Sequence, residues 1–183
     1  SPYMRLHEIV EKTGLPKATV LRFLKTLVSL DYIVYDGKNK TYHLSPRVMG
    51  LGYTVLSSLD IRDVALPILR DLSDRTGQNV NLGIMDGVEI VYIERIKKRQ
   101  ILNIDLHVGS RLPAHNTSIG QVILAFMEEQ VLEKKIREIS KVYGSDQFVG
   151  KNGEHLIQTL KEVRKKGYAV NDEMYVKGLR AIA

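Results

Sequence analysis

The apolar positions of the first 30 residues repeat with the period of two short helices. In the first helix, Leu6, Ile9 and Val10 form the i, i+3, i+4 stripe of one buried face. Gly14 can adopt the positive φ that ends a helix, and Pro16 suits the start of the next one. The pattern therefore predicts two helices joined by a tight turn, which is a helix-turn-helix.

The second predicted helix, residues 17–30, has an apolar side and a polar side. The apolar side is expected to pack inward and comprises Val20, Phe23, Leu24, Leu27 and Val28. The polar side comprises Lys17, Thr19, Arg22, Lys25 and Thr26, and the whole helix carries three cations and no carboxylate. Such a surface attracts phosphate, and the second helix of a helix-turn-helix can lie in the major groove of DNA. An ordinary helix pair with a solvated cationic face is the alternative.

Two short strands are predicted after this helix. Residues 32–35 and 40–44 are rich in aromatic and β-branched side chains, and Asp36-Gly37-Lys38-Asn39 between them is typical of a hairpin turn. A hairpin in this place is a wing, whose Lys38 and Lys40 would lie near the DNA backbone or minor groove. The order of helix, turn, basic helix and wing favours double-stranded DNA as a partner.

Each polar residue of the second helix has an expected role on DNA. Lys17 and Thr19 lie in the first turn, where side chains reach base edges and free N–H groups can bind phosphate. Arg22 is suited to a guanine because its planar fork matches two acceptors at once. Lys25 lies further along the same face.

A third helix is predicted from Pro46 to about Ser58, with Ser45 as its N-cap. It is too apolar to stand alone in solvent, and we interpret it as a linker; a core helix of one continuous domain is the alternative. The resulting domain prediction is a reader in residues 1–45, a linker helix in 46–60 and a second domain in 61–183.

The second domain alternates helices with antiparallel strands. Its first helix ends near Thr76, and its regular part is expected to begin at Pro67, because proline disrupts a helix interior. Strands are predicted at 79–85, 88–94 and 101–107, with Asp86-Gly87 as a hairpin turn. The residues expected to face inward from the first helix are Val64, Ala65, Ile68, Leu69 and Leu72. Further helices are predicted at 128–140, with Val131, Leu132 and Ile136 inside, and at 153–166, before a strand from Tyr168. This order predicts an α+β fold.

The segment 108–120 contains the best candidate for a ligand site. A loop with glycine and proline leads into a helix from Ser118 to Met127, whose first turn is preceded by Asn116 and Thr117. Free N–H groups at a helix start suit a carboxylate or another small anion. Simple N-capping by Asn116 or Thr117 is an equally good interpretation.

A second cationic cluster, Arg95 with residues 97–99, could contact DNA or an acidic surface, although a solvated strand end is the preferred interpretation.

Composition and charge narrow the class of protein. The chain has 183 residues, a net charge of +6 and no cysteine, which favours a polyanionic partner and excludes disulfides and thiol chemistry. No apolar run of 18 residues and no signal-peptide core occurs, so we expect a soluble, cytoplasmic protein without membrane contact. No metal-ligand cluster, phosphate loop or nucleophile elbow is present, so neither a metal nor a cofactor is expected.

These motifs together resemble the IclR family of bacterial and archaeal transcriptional regulators. The similarity covers Thr13-Gly-Leu-Pro16, the basic helix 17–25, Tyr42-His-Leu-Ser-Pro-Arg47 and Tyr92-Ile-Glu-Arg95. It also covers Gly109-Ser-Arg-Leu-Pro-Ala-His115 with Ile119-Gly-Gln-Val-Ile-Leu-Ala125, which is similar to the family's effector-domain signature. The resemblance extends over almost the whole chain.

The resemblance implies a winged reader, a linker helix and a GAF-like (profilin-like) effector domain. It also implies homodimers, often paired into homotetramers, and effectors that are small organic acids, including aromatic and keto acids. The effector-binding residues that it implies are Thr117, Ser118, Ile119, Asn171, Leu179 and Ala181. Asn171 stands where many members have an acid, and Gln121 replaces the usual lysine. Members have a helix before Leu6 and strands after the last residues, so we expect this chain to be a fragment.

We therefore predict a regulator that binds operator DNA under the control of a small organic acid. A constitutive DNA-binding protein is one alternative. An enzyme that uses His115 with Asp172 or Glu173 as acid and base is another.

Overall fold

The computed structural model describes residues 2–98, 106–144, 153–173 and 178–183, and its fold is α+β. The chain divides into two compact units, Ser1–Asp60 and Ile61–Ala183. The elements of the first unit are β1 (Met4–Arg5), α1 (Leu6–Thr13), α2 (Lys17–Ser29), β2 (Ile33–Asp36), β3 (Thr41–Leu44) and α3 (Val48–Ser57). Within the described residues, no helix is long and apolar enough to cross a lipid bilayer.

The first unit is a helix-turn-helix followed by a hairpin. Gly14 ends α1 in the left-handed conformation, with φ +65°, and its N–H donates to the carbonyl of Val10 at 2.9 Å. Because a left-handed residue without a Cβ is unstrained, glycine suits this turn. Strands β2 and β3 pair in antiparallel register, and β1 adds to the other edge of β3. The predicted wing is therefore the outer hairpin of a small three-stranded sheet.

The apolar side of α2 is only partly packed, and this corrects the sequence prediction. Val20 and Leu24 are buried, whereas Phe23 is 53% exposed and Leu27 is 37% exposed. Phe23 and Leu27 line an open apolar groove of about 330 Å³ that also contains Leu44. The eight-residue α1 and the small sheet cannot cover the full width of the apolar stripe, so only its centre becomes core.

Helix α3 begins two residues later than predicted. The Ser45 hydroxyl accepts a hydrogen bond from the N–H of Arg47 at 3.1 Å, and the carbonyl of Pro46 accepts from Met49 at 3.0 Å. Ser45 thus stabilises a turn that precedes the helix. Met49, Tyr53 and Val55 on α3 are exposed in this chain.

The second unit contains α4 (Asp60–Thr76), β4 (Val80–Asp86), β5 (Glu89–Ile96), β6 (Arg111–Pro113), a 3-10 turn (Ala114–Asn116), α5 (Ser118–Ala125), α6 (Glu129–Tyr143), α7 (Glu154–Lys166), β7 (Val170–Asp172) and β8 (Arg180–Ile182). Strands β4, β5 and β6 form one antiparallel sheet in that order, and β7 pairs with β8. The strand predicted at 101–107 falls mostly outside the described residues.

Helix α4 contradicts two predictions. It continues through Pro67, with its first half held by an ion pair of 2.8 Å between Arg62 Nη2 and Glu94 Oε2 on β5. Ala65 and Leu69 are half-buried, as predicted. The helix is nevertheless rotated relative to the expected packing, because its covered side also includes Arg62, Leu66 and Ser73. The expected inner residues Val64 and Ile68 are 71% and 66% exposed, and Leu72 is also exposed. On α6, Val131 is likewise exposed rather than buried.

The core of the second unit surrounds α5. Its buried members are Ile90, Ala114, Leu124, Ala125, Ile136, Ile139, Leu156, Leu160, Val163 and Ala169. A Cβ at Gly120 would lie 2.1 Å from the carbonyl oxygen of Ala114, and one at Gly83 would lie 2.6 Å from Ile90. Both glycines therefore permit a close approach: α5 to the turn before it, and β4 to its neighbour β5.

Candidate DNA-binding surface and effector site

The exposed face of α2 carries the predicted DNA-binding cations. Arg22 and Lys25 are exposed, and at 100° per residue Arg22 lies opposite the buried Val20 and Leu24. Lys17 is exposed in the first turn, whereas Thr19 is half-buried. The packing of α2 therefore directs its arginine away from the core.

This basic face is not neutralised by nearby carboxylates. Among the described residues of the first unit, no aspartate or glutamate forms an ion pair with Lys17, Arg22 or Lys25, nor with the wing residues Lys38 and Lys40. Arg47 differs, because its Nη1 lies 3.4 Å from Asp31 Oδ2. The cations of α2 and the wing thus remain available to an external polyanion.

The wing turn is organised by Asp36. Its carboxylate accepts hydrogen bonds from the backbone N–H of Lys38 at 2.9 Å and from the Nδ2 of Asn39 at 2.6 Å. These bonds, the Asn39 side chain contributing most, lower the pKa of Asp36 below its ordinary value. The turn holds the exposed Lys38 and Lys40 at its tip, with Lys40 at φ +54°.

The start of α2 and the wing meet at one groove. Lys17 and Lys40 line an open groove of about 470 Å³, together with Arg5, His7 and Glu11. Sequence analysis did not assign Arg5 or His7 to the surface; the available signal was two basic residues flanking Leu6 at the start of α1. Pro16 gives α2 no side-chain cap, so its first N–H groups can bind water or phosphate.

The start of α5 is capped and buried. Thr117 accepts a hydrogen bond from the N–H of Gly120 at 3.1 Å, so it is the N-cap of α5. This bond agrees with the N-capping interpretation of the segment. Thr117 and Ser118 are only 5% and 4% exposed. Within the described part of the chain, the N–H groups of Ser118 and Ile119 have no hydrogen-bond acceptor. Capping therefore leaves two N–H groups that could bind an anion.

Two amide side chains hold the turn before α5. Gln121 Nε2 donates to the carbonyl of His115 at 3.0 Å, and Asn171 Nδ2 donates to the carbonyl of Asn116 at 2.8 Å. Both amides are nearly buried, at 2% and 4% exposure. Gln121 and Asn171 therefore each bind a backbone carbonyl of this turn.

The late segment lies beside the same helix. Asn171 on β7 pairs with Ala181 on β8, the N–H of Glu173 donates to the carbonyl of Leu179 at 2.8 Å, and β8 contacts α5. The structure thus brings the predicted effector residues of the late segment close to the start of α5.

The residues of the enzyme alternative have other contacts. His115 is buried and its ring lies 4.7 Å from that of Tyr143, whose pKa is raised mainly by burial. Asp172 forms an ion pair of 2.6 Å with Arg180.

In the second cationic cluster, Lys98 is paired with Asp74, while Lys97 is exposed and residue 99 lies outside the described residues.

Comparison with protein families identifies both units. Residues 1–37 match the IclR helix-turn-helix domain, and residues 53–183 match the C-terminal domain of bacterial transcriptional regulators of the IclR type. The two matches define a helix-turn-helix domain followed by a separate C-terminal domain of the same family. The chain belongs to the IclR family of transcriptional regulators.

Individual relatives agree with this assignment. The chain is 34% identical to the Pca regulon regulatory protein of Pseudomonas putida, covering 99% of this chain and 62% of that protein. It is also 34% identical to the regulator XynR of Escherichia coli, covering 98% and 71%. A solved IclR family regulator from Brucella abortus is 28% identical, with a TM-score of 0.81 and coverage of 99% and 68%. Across four such curated relatives, the chain spans 57–71% of their length.

Proposed function

We propose that this chain is part of a transcriptional regulator that binds operator DNA and responds to a small organic acid. In this proposal residues 1–45 bind DNA, and residues 61–183 bind the effector. Residues 46–60 form the linker helix between the two domains. The observation that carries the proposal is the exposed, unpaired basic face of α2 beside the wing. Family membership supports the same function, because its named members are regulators.

The proposed DNA contacts follow from position and chemistry. Lys17 and Thr19 lie at the start of α2, where side chains of a recognition helix reach base edges. Arg22 binds a guanine through its two-donor fork, and Lys25 binds phosphate. Lys38 and Lys40 of the wing bind the backbone of the adjacent groove. The shared groove of Lys17 and Lys40 supports a single continuous contact with DNA.

The proposed effector site lies at the start of α5. Ser118 and Ile119 supply N–H groups at the positive end of the helix that Thr117 caps. The late-segment residues Asn171, Leu179 and Ala181 close the site. A solved IclR homologue from Microbacterium hydrocarbonoxydans is complexed with 4-hydroxybenzoate; at 21% identity and a TM-score of 0.74 it shares the fold alone. An acid of that kind is therefore our first choice of probe.

We further propose that the protein is a homodimer or homotetramer in the cytoplasm and is not an enzyme. Its named relatives are regulators, and operator DNA is a cytoplasmic partner in bacteria. The ion pair of Asp172 with Arg180 argues against acid–base catalysis by this carboxylate.

The substitution Arg22→Ala tests the proposed DNA surface. If the guanidinium contacts a base, operator affinity should fall by about 1–3 kcal/mol in an electrophoretic shift or fluorescence titration. The slope of log affinity against log salt should change less than for Lys25→Ala, which should reduce it by about 1.

Lys12→Ala is the matched control, since it removes one exposed cation of the same unit outside the proposed surface. Unchanged operator affinity in Arg22→Ala with an unchanged melting temperature would exclude the assignment of Arg22. Equal losses in Arg22→Ala and Lys12→Ala would show a general charge effect rather than a specific contact.

A further inference from the structure

Basic side chains from three parts of the first unit line one open groove of about 470 Å³. They come from the start of α1, the start of α2 and the wing, and they are Arg5, His7, Lys17 and Lys40. The other lining residues are Leu6, Val10 and Glu11 of α1. These seven residues define the basic groove.

The positive charge of the basic groove faces solvent. Its four basic residues are all exposed, and none of them forms an ion pair within the described residues of the first unit. Glu8, next to His7 in the sequence, accepts a hydrogen bond from the backbone N–H of Arg5 at 2.6 Å. This bond is the main cause that lowers the pKa of Glu8 below its ordinary value, and it ties the carboxylate to the start of α1. Three permanent cations and one histidine are thus balanced by Glu11 alone among the lining residues.

A backbone phosphate of DNA suits the chemistry of this groove. Its oxygens only accept hydrogen bonds, whereas the lysine and arginine side chains only donate them. Leu6 and Val10 offer apolar surface to the sugar beside the phosphate. Lys17 also belongs to the proposed DNA-binding face of α2, and the first helix of a helix-turn-helix crosses the DNA backbone. Duplex DNA that contacts α2 would therefore place its backbone at the start of α1.

His7 is the one histidine among the residues that line the basic groove. Histidine is the side chain that ordinarily changes charge between pH 5 and 8, whereas arginine, lysine and glutamate ordinarily keep theirs. Glu11 follows His7 by four residues on α1, and a carboxylate at this spacing favours the protonated ring. The wing turn that carries Lys40 should persist across this range, because the hydrogen bond from Asn39 lowers the pKa of Asp36.

We propose that the basic groove binds a backbone phosphate of double-stranded DNA and that protonation of His7 strengthens this contact. An imidazolium forms a charge-assisted hydrogen bond to a phosphate oxygen, which is stronger than a neutral one. Affinity for DNA therefore rises as the pH falls from 8 to 6. Because phosphate contacts do not read sequence, the effect extends to random-sequence DNA. The inference rests on the proposed function, since it adds a contact and a pH dependence to the same DNA-binding surface.

Fluorescence anisotropy titration of a random-sequence DNA duplex with the whole chain, at pH 8 and pH 6 and constant ionic strength, tests this proposal. We expect binding to be at least threefold tighter at pH 6. The slope of log affinity against log salt should also be steeper at pH 6, by up to about 0.9, because one more cation displaces counterions from the DNA.

Two substitutions of His7 separate its charge from its presence. His7→Gln cannot be protonated, so its affinity at pH 6 should fall to the level that the unmodified protein has at pH 8. His7→Lys carries a permanent charge, so it should bind equally well at both pH values and more tightly than the unmodified protein at pH 8. Unchanged melting temperatures would show that both variants are folded, as expected for an exposed side chain.

Two other histidines provide matched controls. His155 is the second residue of α7, as His7 is of α1, and it is exposed. His43 lies in the first unit, but its ring packs 4.9 Å from that of Tyr3 and lines the apolar groove. His155→Gln and His43→Gln should both keep the full pH dependence.

Several outcomes would overturn the inference. They are equal affinity at the two pH values in the unmodified protein, a pH dependence that survives His7→Gln, the same loss in either control, and weaker binding by His7→Lys at pH 8. Duplex binding that does not depend on His7 would leave the proposed function intact. No duplex binding at either pH would contradict both the inference and the proposed DNA surface, which Arg22→Ala tests separately in the operator assay.

Discussion

The basic face of α2 and the start of α5 both belong to helices that follow a short turn, yet their polar groups differ in solvent exposure. On α2, Arg22 and Lys25 are exposed, and the helix has no side-chain cap. On α5, Thr117 caps the helix, and Ser118 is almost fully buried. One region presents charge to solvent, whereas the other encloses hydrogen-bonding groups within a core.

This difference decides how tolerant each region is of substitution. A solvated cation is compatible with the fold whether or not a partner binds, so changes at the surface of α2 should alter binding more than stability. Groups at α5 are packed against backbone and against one another, so changes there should alter stability first. Substitutions in the two units test this distinction, and the largest effect on stability is expected at α5.

Gly120→Ala should destabilise the second unit most. The new Cβ would lie 2.1 Å from the carbonyl oxygen of Ala114. Because this oxygen belongs to the backbone, it cannot move away as the end of a flexible side chain could. We expect a loss of about 3 kcal/mol in the free energy of unfolding, measured by denaturant titration of the second unit. Operator binding by the first unit should persist in mild conditions.

Gly50→Ala provides the matched control, because nothing lies within 4 Å of a Cβ at this position in α3. It should be neutral or stabilising by up to about 1 kcal/mol, since alanine favours helix more than glycine does. Equal destabilisation by both variants would contradict the claim that close packing at α5 is the cause.

Thr117→Ala should have an intermediate effect. It removes the hydroxyl that accepts from Gly120 N–H, and loss of a helix N-cap costs about 1 kcal/mol. Thr159→Ala in α7 is the control, because among the described residues that hydroxyl donates only to the carbonyl of His155 within its own helix. If the two threonine variants were equally stable in denaturant, the cap would not be a stabilising element of the site.

The smallest effect is expected at the wing. Hydrogen bonds from Asn39 and from the backbone lower the pKa of Asp36, so its contribution to wing stability is present above the ordinary aspartate pKa of about 3.9. This contribution is lost as pH falls through the lower pKa of the folded state. An NMR titration of the Asp36 carboxyl group should therefore give a midpoint below the ordinary aspartate value.

Asn39→Ala removes the largest cause and should move the pKa of Asp36 toward its ordinary value. An unchanged midpoint in this variant would show that the Asn39 side chain does not organise the turn. Because the wing is exposed, global stability should change little in either case.

Local sequence signals predicted the first unit well. The end of α1 at Gly14 and the turn at Asp36 depend on neighbouring residues alone, so both could be identified from the sequence. Phe23 was placed wrongly because its exposure depends on how many elements are available to cover α2. Periodicity identifies an apolar stripe, but it does not show how much of that stripe is covered.

The second unit depended on contacts that sequence patterns do not reveal. Pro67 and Val64 were wrongly interpreted. Helix α4 continues through Pro67, and its covered side includes Arg62, whose ion pair with Glu94 on β5 joins distant parts of the sequence. The amide of Asn171 binds a carbonyl 55 residues earlier in the chain, and no local pattern encodes that distance. Arg95 looked like one member of a solvated cluster, yet it is half-buried, because burial depends on tertiary packing.

The bond between Asn171 and Asn116 also has a consequence for biosynthesis. The helix-turn-helix and wing are complete by residue 44, whereas the carbonyl of Asn116 cannot accept its hydrogen bond from Asn171 until that residue has left the ribosome. At about 5–20 residues per second, translation needs roughly 10 s to cover the interval. A nascent chain would therefore acquire its proposed DNA-binding surface well before its proposed effector site, and on that proposal its earliest contacts with nucleic acid would be insensitive to metabolite.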